Sequence, residues 1–390
     1  MDFTKMTPTR EAKIEAAPAK PLPPTNSYKP NEIAKALHPD VQYLKVAKIV
    51  EHGTDAKTFY LEANPEKGTN ALAWFSAGQY LSISLEIGSM KLTRPYSLSS
   101  SPTEAKEGHY MLTIKRVEGG LASTYILDNW QVGTEVTASE PLGVFTYEPL
   151  RDAKTIIGIA GGSGITPFRS LAKAIADGIE DAKLILLYGS RTLADAIFQE
   201  EFKDLESTCP NFKLVNVLSH EENTGCENGF ITAELIKKYA PDEDYSLFLC
   251  GPQAMYNFVD KEIATLGLRR KFIRHELFGE YFNPSKEGDY PADVAPEFKV
   301  TVRIAGTEQT ITAPADTSLL RSLEANGIAA PAHCRSGECG WCHSKLISGE
   351  VYTPKSIDGR READLIYGYI HPCCAFPISD VTIEVPPVRK

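Results

Sequence analysis

The sequence predicts a multidomain protein of α/β plus β class, with three folded units in succession. Short strand patterns separated by glycines and prolines run from residue 41 to 150 and are typical of an antiparallel β-barrel. From residue 151 to 282, apolar runs alternate with helical patterns, which indicates a five-stranded parallel α/β domain. A strand hairpin, a helix and a cysteine-rich loop occupy residues 297–390. A chain of 390 residues is long enough for each unit to bury its own core.

Two segments lack the pattern of a folded domain. Residues 1–40 are rich in proline, and we expect an N-terminal arm of extended or disordered conformation, in which Asn31 can cap a short helix through Leu37. Residues 283–296 are polar and also contain prolines, which is typical of a linker between domains. Neither segment contains a recognisable chemical motif.

Composition argues against two classes of partner. The formal net charge is −10 at pH 7, whereas a nucleic-acid-binding face requires positive charge. The longest apolar runs are far shorter than the roughly 20 residues of a membrane span. The first residues also lack the apolar stretch of a signal peptide. We therefore expect a cytoplasmic enzyme with no membrane span and no nucleic-acid partner.

The most specific pattern is formed by cysteines near the C terminus. Cys334, Cys339 and Cys342 have the spacing C-x4-C-x2-C, and the pair Cys373-Cys374 follows about thirty residues later. Three clustered cysteines and one distant cysteine are typical of a plant-type [2Fe–2S] cluster. The spacing alone leaves open which residue of the pair is the fourth ligand.

Zinc and disulfide bonds are the alternatives for these cysteines. Structural zinc sites ordinarily use paired cysteines or Cys/His knuckles, and His333, His343 and His371 are close enough in sequence to act as further ligands. Disulfide bonds are rare in reducing compartments, and a chain of this length does not need them. We therefore favour the iron–sulfur interpretation.

Within the predicted barrel, Arg94-Pro95-Tyr96-Ser97 is the first candidate binding motif. Arginine can bind phosphate through two hydrogen bonds. Tyr96 falls on the same strand face as Arg94 and offers a ring for stacking, while Ser97 offers a hydroxyl. The motif is short, and a buried tyrosine beside a surface arginine produces the same pattern.

A second candidate motif follows the strand that ends at Lys115. Gly119 and Gly120 turn the chain, and Ser123 and Thr124 stand where a helix begins. Free amides at a helix N terminus, together with hydroxyl donors, suit a phosphate. The alternative is an ordinary helix cap at Ser123.

The first loop of the α/β domain is rich in glycine. It contains Gly161, Gly162, Gly164 and Thr166, and it leads from a buried strand into a helix. A ligand can approach the backbone closely there, which suits a pyrophosphate. Pro167 occupies the place of the third glycine, so the G-x-G-x-x-G fingerprint is absent.

Two further loops follow strands of the same domain. Arg191 stands after the second strand, and Cys250-Gly251-Pro252 stands after the fourth. Open parallel sheets bind ligands beyond the carboxyl ends of their strands. A solvated charge at Arg191 and a small buried side chain at Cys250 are the alternative interpretations.

Taken in order, these motifs resemble the ferredoxin–NADP reductase superfamily with a fused plant-type ferredoxin. The resemblance covers residues from about 42 to 390. It implies a flavin-binding β-barrel, an NAD(P)-binding α/β domain and a C-terminal β-grasp [2Fe-2S] ferredoxin domain. This order is similar to reductase components of bacterial oxygenases, such as phthalate dioxygenase reductase and phenylacetyl-CoA epoxidase reductase. The implied activity is that of an NAD(P)H-dependent flavin/iron–sulfur oxidoreductase.

The resemblance also implies catalytic roles for three residues. Ser97 would form a hydrogen bond near flavin N5, Tyr96 would pack on the isoalloxazine ring, and Cys250 would lie beside the nicotinamide. Glu276 or Phe278 is implied to reach the flavin. The implied cofactor-binding residues are Arg94, Tyr96, Ser97, Lys115, Gly120, Ser123, Thr124, Gly161, Gly162, Gly164, Thr166, Arg191, Gly251 and Pro252.

For the cluster, the family pattern C-x-x-x-P-x-x-D selects one member of the cysteine pair. Cys373 has Pro377 and Asp380 at the matching positions, whereas Cys374 does not. The resemblance therefore implies four metal ligands. They are Cys334, Cys339, Cys342 and Cys373.

The expected cofactors are FAD, a [2Fe-2S] cluster and NADH. FAD is preferred to FMN because the loop of residues 120–124 can take a second phosphate. NADH is preferred to NADPH because His220-Glu221-Glu222 is acidic where a 2′-phosphate would need basic residues.

The predicted function is electron transfer from NAD(P)H through flavin and cluster to a redox partner protein, such as an oxygenase. Flavin is required between the other two because hydride carries two electrons and the cluster carries one. Arg335, Glu338 and Trp341 are expected to flank the exposed cluster edge. The alternatives are a non-catalytic electron-carrying or redox-sensing subunit and the reverse, ferredoxin-to-NAD(P) reaction.

Overall fold

The computed structural model describes Ala12, Glu15, residues 28–277 and residues 279–388. The chain divides into two compact units, Met1–Pro39 and Asp40–Lys390. In the first unit, helix α1 spans Lys29–Leu37. The rest of the predicted arm up to residue 27, apart from Ala12 and Glu15, lies outside the described residues.

The second unit begins with an antiparallel sheet that confirms the predicted barrel. In the described range 40–150, six strands lie in the order β4-β3-β6-β1-β2-β5. An antiparallel bridge between Leu98 and Leu112 joins the two outer strands. Two helices, α2 (Pro102–Lys106) and α3 (Leu121–Asn129), complete this region. The strands are β1 (Gln42–His52), β2 (Ala56–Ala63), β3 (Tyr80–Ile87), β4 (Met90–Ser97), β5 (Tyr110–Lys115) and β6 (Glu135–Ala138).

A parallel sheet follows, with helices between its strands. The strands are β7 (Thr155–Gly161), β8 (Lys183–Ser190), β9 (Phe212–Leu218), β10 (Glu227–Asn228), β11 (Tyr245–Cys250) and β12 (Ile273–Glu276). The helices are α4 (Thr166–Ala176), α5 (Gln199–Thr208), α6 (Ala233–Tyr239) and α7 (Gln253–Ala264). The sheet order is β10-β9-β8-β7-β11-β12, and every pairing in it is parallel.

The parallel sheet departs from the expected five strands at its edge. Among the described residues it has a sixth strand, β10, which pairs with the end of β9 through Glu227 and Asn228. Two polar residues are too few to produce a periodic pattern. The central strands do show the expected apolar run, because helices cover both faces of the sheet and residues 156–161 are all buried.

The third domain is a β-grasp built around a mixed sheet. Its described strands are β13 (Glu297–Ile304), β14 (Thr307–Pro314), β15 (Ser344–Ser348), β16 (Val351–Tyr352), β17 (Tyr369–Ile370), β18 (Phe376–Pro377) and β19 (Val381–Glu384). The main sheet has the order β14-β13-β19-β15-β17, with β13 and β19 parallel. Helices α8 (Leu319–Ala325) and α9 (Glu362–Ile366) lie in the intervening segments. The Ser318 hydroxyl caps α8 by accepting from the Arg321 N–H.

The segment predicted as a linker packs onto this third domain. The Tyr352 hydroxyl donates to Asp289 at 2.6 Å, and Lys355 lies 2.8 Å from the same carboxylate. The rings of Tyr290 and Tyr352 meet edge to face with centroids 5.0 Å apart.

Over the described residues, no helix is long and apolar enough to cross a membrane.

Candidate active site

A cleft of about 560 Å³ opens beyond the carboxyl ends of β7, β8 and β9. This is the edge at which a parallel sheet is expected to bind a nucleotide. Five residues singled out from the sequence line the cleft. They are Lys115, Gly161, Gly162, Arg191 and Pro252.

Glycine is required where the loops after β7 and β11 meet. A Cβ atom at Gly164 would lie 2.1 Å from the carbonyl oxygen of Cys250. A Cβ atom at Gly251 would lie 2.2 Å from Cε of Met255, and one at Gly161 would lie 2.5 Å from Sδ of Met255. At Gly164 the obstacle is backbone, so a side chain there would push the two loops apart, whereas at Gly161 and Gly251 the nearest atoms belong to the movable Met255 side chain.

Thr166 shapes the first of these loops rather than pointing a free hydroxyl into the cleft. Its Oγ1 atom donates to the carbonyl oxygen of Ser163 at 3.1 Å, and the residue is buried. Gly162 has a φ of +52°, in the left-handed region. Backbone amides at the start of α4 are therefore the donors that this loop offers to an anion.

The end of the cleft near Arg191 is acidic as well as basic. The Arg191 guanidinium is largely exposed and lies 3.3 Å from Asp195. Glu221 accepts a hydrogen bond from the Leu193 N–H at 2.9 Å. This bond and one from Asn223 lower the pKa of Glu221. Carboxylates suit ribose hydroxyls and repel an additional phosphate.

Cys250 and Glu276 are paired residues at the ends of β11 and β12. Both are buried, and burial is the largest cause that raises the pKa of each. Tyr256 connects the two strand ends, since its hydroxyl donates to the Glu276 carbonyl oxygen and accepts from the Gly251 N–H. The expectation that Glu276 reaches the flavin is compatible with this position, whereas Phe278 lies outside the described residues.

The motif residues of the barrel lie at the end of β4. Ser97 is buried, and its hydroxyl has no hydrogen-bond partner among the described residues. A buried hydroxyl without a partner is costly, so this atom fits a site that is completed by a bound flavin. Tyr96 is half-buried, and burial raises its pKa. Arg94 donates to the Thr93 carbonyl oxygen at 2.8 Å.

In the second barrel motif, residues 115–124, one of the two hydroxyl groups is hydrogen-bonded within the motif itself. Ser123 Oγ accepts from the Val117 N–H at 3.1 Å, so this hydroxyl closes the turn. Gly120 precedes the first residue of α3 and leaves no room for a side chain, because its Cβ would lie 2.9 Å from Ser123 Oγ. Thr124 lies in the first turn of α3, and Lys115 lies 3.5 Å from Asp55.

The four cysteines proposed as cluster ligands converge in the third domain. Cys342 Sγ lies 3.4 Å from Cys373 Sγ, and the Cys334 thiol is within hydrogen-bond reach of Cys339. No group of three or more His, Cys, Asp or Glu side chains in the described residues surrounds one metal position. The Cys334 thiol is also within hydrogen-bond reach of Cys373, so the four thiols form one contiguous cluster. Backbone N–H groups point at Sγ of Cys334 and of Cys339.

Cys374 has different surroundings from Cys373. Its thiol donates to the His371 carbonyl oxygen at 3.5 Å, and it packs beneath Gly337, whose added Cβ would lie 3.0 Å from Cys374 Sγ. Both Cys374 and Cys373 are buried. The geometry is consistent with the implied choice of Cys373, because that thiol is the one beside Cys342.

One expectation about the cysteine loop is wrong. Arg335 does not flank an exposed edge, since only 1% of the residue is exposed and its guanidinium binds Glu280 and Glu324. A buried guanidinium requires carboxylate partners, and both partners are distant in sequence. Glu338 and Trp341 are exposed, as expected.

Tyr80 is a site residue that the sequence did not reveal. It pairs with Ser97 across β3 and β4 and is buried. Burial raises its pKa, and the nearby charges of Cys334 and Glu276 raise it further. Tyr80 therefore lies beside the barrel motif, and charged groups of the other two domains act on its hydroxyl. Only its position in a strand pattern was visible in the sequence.

Comparisons with known families identify the same three domains. Residues 43–147 match the model described as an oxidoreductase FAD-binding domain. Residues 159–261 match the oxidoreductase NAD-binding domain, and residues 302–378 match the 2Fe-2S iron-sulfur cluster binding domain.

Curated relatives cover nearly the whole chain. The ferredoxin reductase component of 3-ketosteroid-9-alpha-monooxygenase from Mycolicibacterium smegmatis is 32% identical over 356 residues, which cover 88% of this chain and 96% of the relative. The glycine betaine monooxygenase reductase subunit from Chromohalobacter salexigens is 27% identical over 357 residues, which cover 87% and 94% of the two chains.

A solved structure has the same arrangement of domains along the chain. Phthalate dioxygenase reductase, described as a modular structure for electron transfer from pyridine nucleotides to [2Fe-2S], matches with a TM-score of 0.62 and 25% identity. The match covers 92% of this chain and 100% of that one. The chain therefore belongs to the ferredoxin–NADP reductase superfamily of flavoproteins with a C-terminal plant-type [2Fe-2S] domain, and it is an NAD(P)H-dependent flavin/iron–sulfur oxidoreductase.

Proposed function

We propose that this reductase forms one electron path, from a nucleotide held by the loops after β7 and β11 to the cysteine loop. The supporting observation is that the flavin-motif strand contacts the start of the cysteine loop. Thr93 Oγ1 donates to the Ala332 carbonyl oxygen at 2.8 Å, and Arg94 lies 3.4 Å from Glu280, which also binds Arg335. When bound, the nicotinamide supplies two electrons as hydride, the flavin divides the pair, and the cluster carries single electrons.

In this proposal the residues along the path bind and orient the flavin and the nucleotide. The buried Ser97 hydroxyl would donate a hydrogen bond to the flavin ring, Tyr96 would pack against that ring, and Arg94 would bind the flavin phosphate. Cys250 excludes water from the place where the nicotinamide must approach, which its burial supports. Gly164 keeps the nucleotide loop close to Cys250, because a side chain would meet its carbonyl oxygen.

The proposed cofactors are NADH and FAD. Asp195 and Glu221 lie beside Arg191 at the adenosine end of the cleft, and these carboxylates disfavour a 2′-phosphate. The match to an FAD-binding domain supports FAD. A steady-state comparison of NADH with NADPH tests the first assignment, and chromatography of the extracted flavin tests the second. Higher kcat/KM with NADPH, or extraction of FMN, would contradict them.

The proposed electron acceptor is the oxygenase component of a multicomponent system. Relatives with 94% and 96% of their length covered are named as reductase components of monooxygenases. We also propose a cytoplasmic location, because four cysteines that must stay available as metal ligands are kept reduced there. Reconstitution with oxygenase components encoded near this gene tests the acceptor, and fractionation tests the location.

Replacing Cys339 by Ser tests the electron path. We expect loss of cluster absorbance and loss of electron delivery to cytochrome c. Reduction of the flavin by NADH should continue at close to the unmodified rate, because Cys339 lies in a separate domain from the nucleotide cleft. Stopped-flow spectroscopy of the flavin and cluster bands measures both steps.

The matched control for this variant is Cys374→Ser. It makes the same substitution at a buried thiol of the same domain, but this thiol donates to the His371 carbonyl oxygen instead of lying beside Cys342. We expect the cluster to remain. Full electron delivery by the Cys339→Ser protein would contradict the path, and loss of the cluster only in Cys374→Ser would overturn the choice of Cys373.

A further inference from the structure

The cysteine loop contains an arginine that is buried in an unusual position. Arg335 has a φ of +61°, which is uncommon for a residue with a side chain. Its Nε atom donates to Glu280 at 2.9 Å, and its Nη1 atom donates to Glu324 at 2.6 Å. Glu280 follows β12, while Glu324 is in α8. The loop that carries Cys334 is thus tied to two separate segments of the chain.

The same two carboxylates also contact the flavin motif. Arg94 Nη2 lies 3.4 Å from Glu280, and Arg94 Nη1 lies 3.8 Å from Glu324. A direct hydrogen bond runs in parallel, since Thr93 Oγ1 donates to the carbonyl oxygen of Ala332 at 2.8 Å. Strand β4 and the start of the cysteine loop are therefore joined both by a side-chain-to-backbone hydrogen bond and through a pair of bridging glutamates.

Charge counting shows how the network is balanced. Arg321 also lies 3.3 Å from Glu280, so the network contains the guanidinium groups of Arg94, Arg321 and Arg335 and two carboxylates. Three positive and two negative charges leave a net charge of +1. Both carboxylates and two of the three guanidinium groups are mostly buried. Buried charge requires an opposite partner, and each buried arginine here has one, while the side chain of the third, Arg321, is 39% exposed.

We propose that Glu280 and Glu324 are positioning residues that bridge Arg94 to Arg335 and thereby hold the iron–sulfur loop against the flavin-binding strand. Because Arg94 is also the residue proposed to bind the flavin phosphate, this bridge links flavin binding to docking of the loop, and each favours the other. The inference rests on the proposed function in one respect, namely that Arg94 binds the flavin phosphate. The bridge between the two arginines is independent of that assignment.

The test replaces Glu324 by Gln, which keeps the shape of the side chain and removes its charge. Without this bridge, the two arginines repel each other and the loop is held less tightly. We expect amide hydrogen exchange in residues 332–342 to become about tenfold faster in the flavin-loaded full-length protein. Electron transfer from flavin to cluster should slow by at least about tenfold in stopped-flow experiments, while NADH reduces the flavin at a rate within about twofold of the unmodified protein.

The matched control is Glu308→Gln. Glu308 pairs with Arg303 at 2.9 Å on the exposed β13–β14 hairpin of the same domain, so neither readout should change. Glu280→Gln provides the second variant, because this residue precedes the third domain and should produce the same two effects. Unchanged loop exchange and unchanged flavin-to-cluster transfer in both variants would overturn the proposal. Loss of the cluster in both variants but not in the control would also overturn it, since the network would then fold the loop instead of positioning it.

A second measurement separates this inference from the proposed function. FAD added to flavin-depleted unmodified protein should slow exchange in residues 332–342. If FAD binds and the loop exchange does not change, the coupling to Arg94 is wrong. If the unmodified protein fails to pass electrons from NADH to its cluster at all, the proposed function is wrong, whatever the exchange results show.

Discussion

At the scale of single residues, the site contains a buried hydroxyl group that has no hydrogen-bond partner among the described residues. Ser97 is 4% exposed, and its hydroxyl has no partner within the described chain. Leaving such a group unsatisfied costs about 1–3 kcal/mol. Two residues further on, Ser99 is buried to a similar degree, yet its hydroxyl donates to the Met111 carbonyl oxygen at 3.1 Å.

Replacing Ser97 by Ala should therefore leave the flavin-free protein as stable as before, or up to about 1 kcal/mol more stable. In the flavin-loaded protein, reduction by NADH should slow about tenfold, because one hydrogen bond to the flavin is lost. Urea unfolding and stopped-flow flavin reduction measure the two effects.

The control is Ser99→Ala, the same substitution at a hydroxyl that has partners in Met111 and Thr113. It should lower the free energy of unfolding by about 1 kcal/mol. A Ser97→Ala protein that is destabilised to the same extent and still reduced at the unmodified rate would remove the support for a flavin-bound hydroxyl.

At the scale of elements, the nucleotide cleft depends on two loops packed without side chains between them. Gly164 opens the segment into α4, and its Cα faces the carbonyl oxygen of Cys250 at the end of β11. Because β7 and β11 are hydrogen-bonded neighbours, any separation of the loops must bend a strand end. The requirement for glycine is therefore steric, and Gly164 does not need the left-handed conformation.

Replacing Gly164 by Ala should destabilise the protein by about 1–3 kcal/mol, as overpacking of a close contact does. The KM for NADH should rise because the loop can no longer present its amides in the same place, while the extracted flavin content should stay constant. Thermal unfolding and steady-state kinetics check both parts.

Gly288→Ala is the matched control. An added Cβ there meets nothing within 4 Å, and both unfolding and KM should stay within error of the unmodified protein. An unchanged KM in the Gly164→Ala protein would show that the loop does not shape the nucleotide site.

At the scale of the whole molecule, buried charges connect the domains to one another. Arg169 in α4 binds Glu104 of α2 at 2.9 Å and also donates to the Ser99 carbonyl oxygen. Glu201 of α5 is its third partner. This cluster joins the barrel to the nucleotide domain two residues beyond the flavin motif, so it fixes the orientation of α4 relative to that part of the barrel.

Glu104 makes this junction sensitive to acid. Burial raises the pKa of its carboxyl group, but hydrogen bonds and charge from Arg169 outweigh that effect, so the pKa lies below its ordinary value of 4.5. A lowered pKa stabilises the folded protein above pH 4.5, and this contribution is lost as the pH falls through the folded-state pKa. Glu104→Gln should therefore cost about 1–3 kcal/mol at pH 7, and its difference from the unmodified protein should shrink in acid.

Urea unfolding between pH 3 and pH 7 measures this dependence, with Glu107→Gln as the control. Glu107 is exposed just after α2, and its substitution should change the free energy of unfolding by less than about 0.5 kcal/mol at every pH. A Glu104→Gln effect that is independent of pH would show that its charge is not what stabilises the junction.

Much of the architecture followed from patterns within short segments. Alternation in residues 111–115 predicted a barrel strand, and the continuous apolar run in residues 155–160 predicted a strand covered on both faces. The strand β10 was not predicted, because two residues are too few to show a periodic pattern. It forms because the end of β9 pairs with it. Tyr80 was not predicted as a site residue, because Glu276 and Cys334, whose charges act on it, lie about 200 residues or more away in the sequence.

The sequence by itself determined the order of the domains and the kinds of chemistry, because cysteine spacing, glycine-rich loops and strand periodicity are local properties of the chain. Only the tertiary structure decided which groups meet. It buried Arg335 between Glu280 and Glu324, left the Ser97 hydroxyl without a partner among the described residues, and set Cys373 rather than Cys374 beside Cys342. These outcomes depend on packing between segments distant in sequence, because the fold decides which groups surround a buried charge or hydroxyl and no local pattern specifies them.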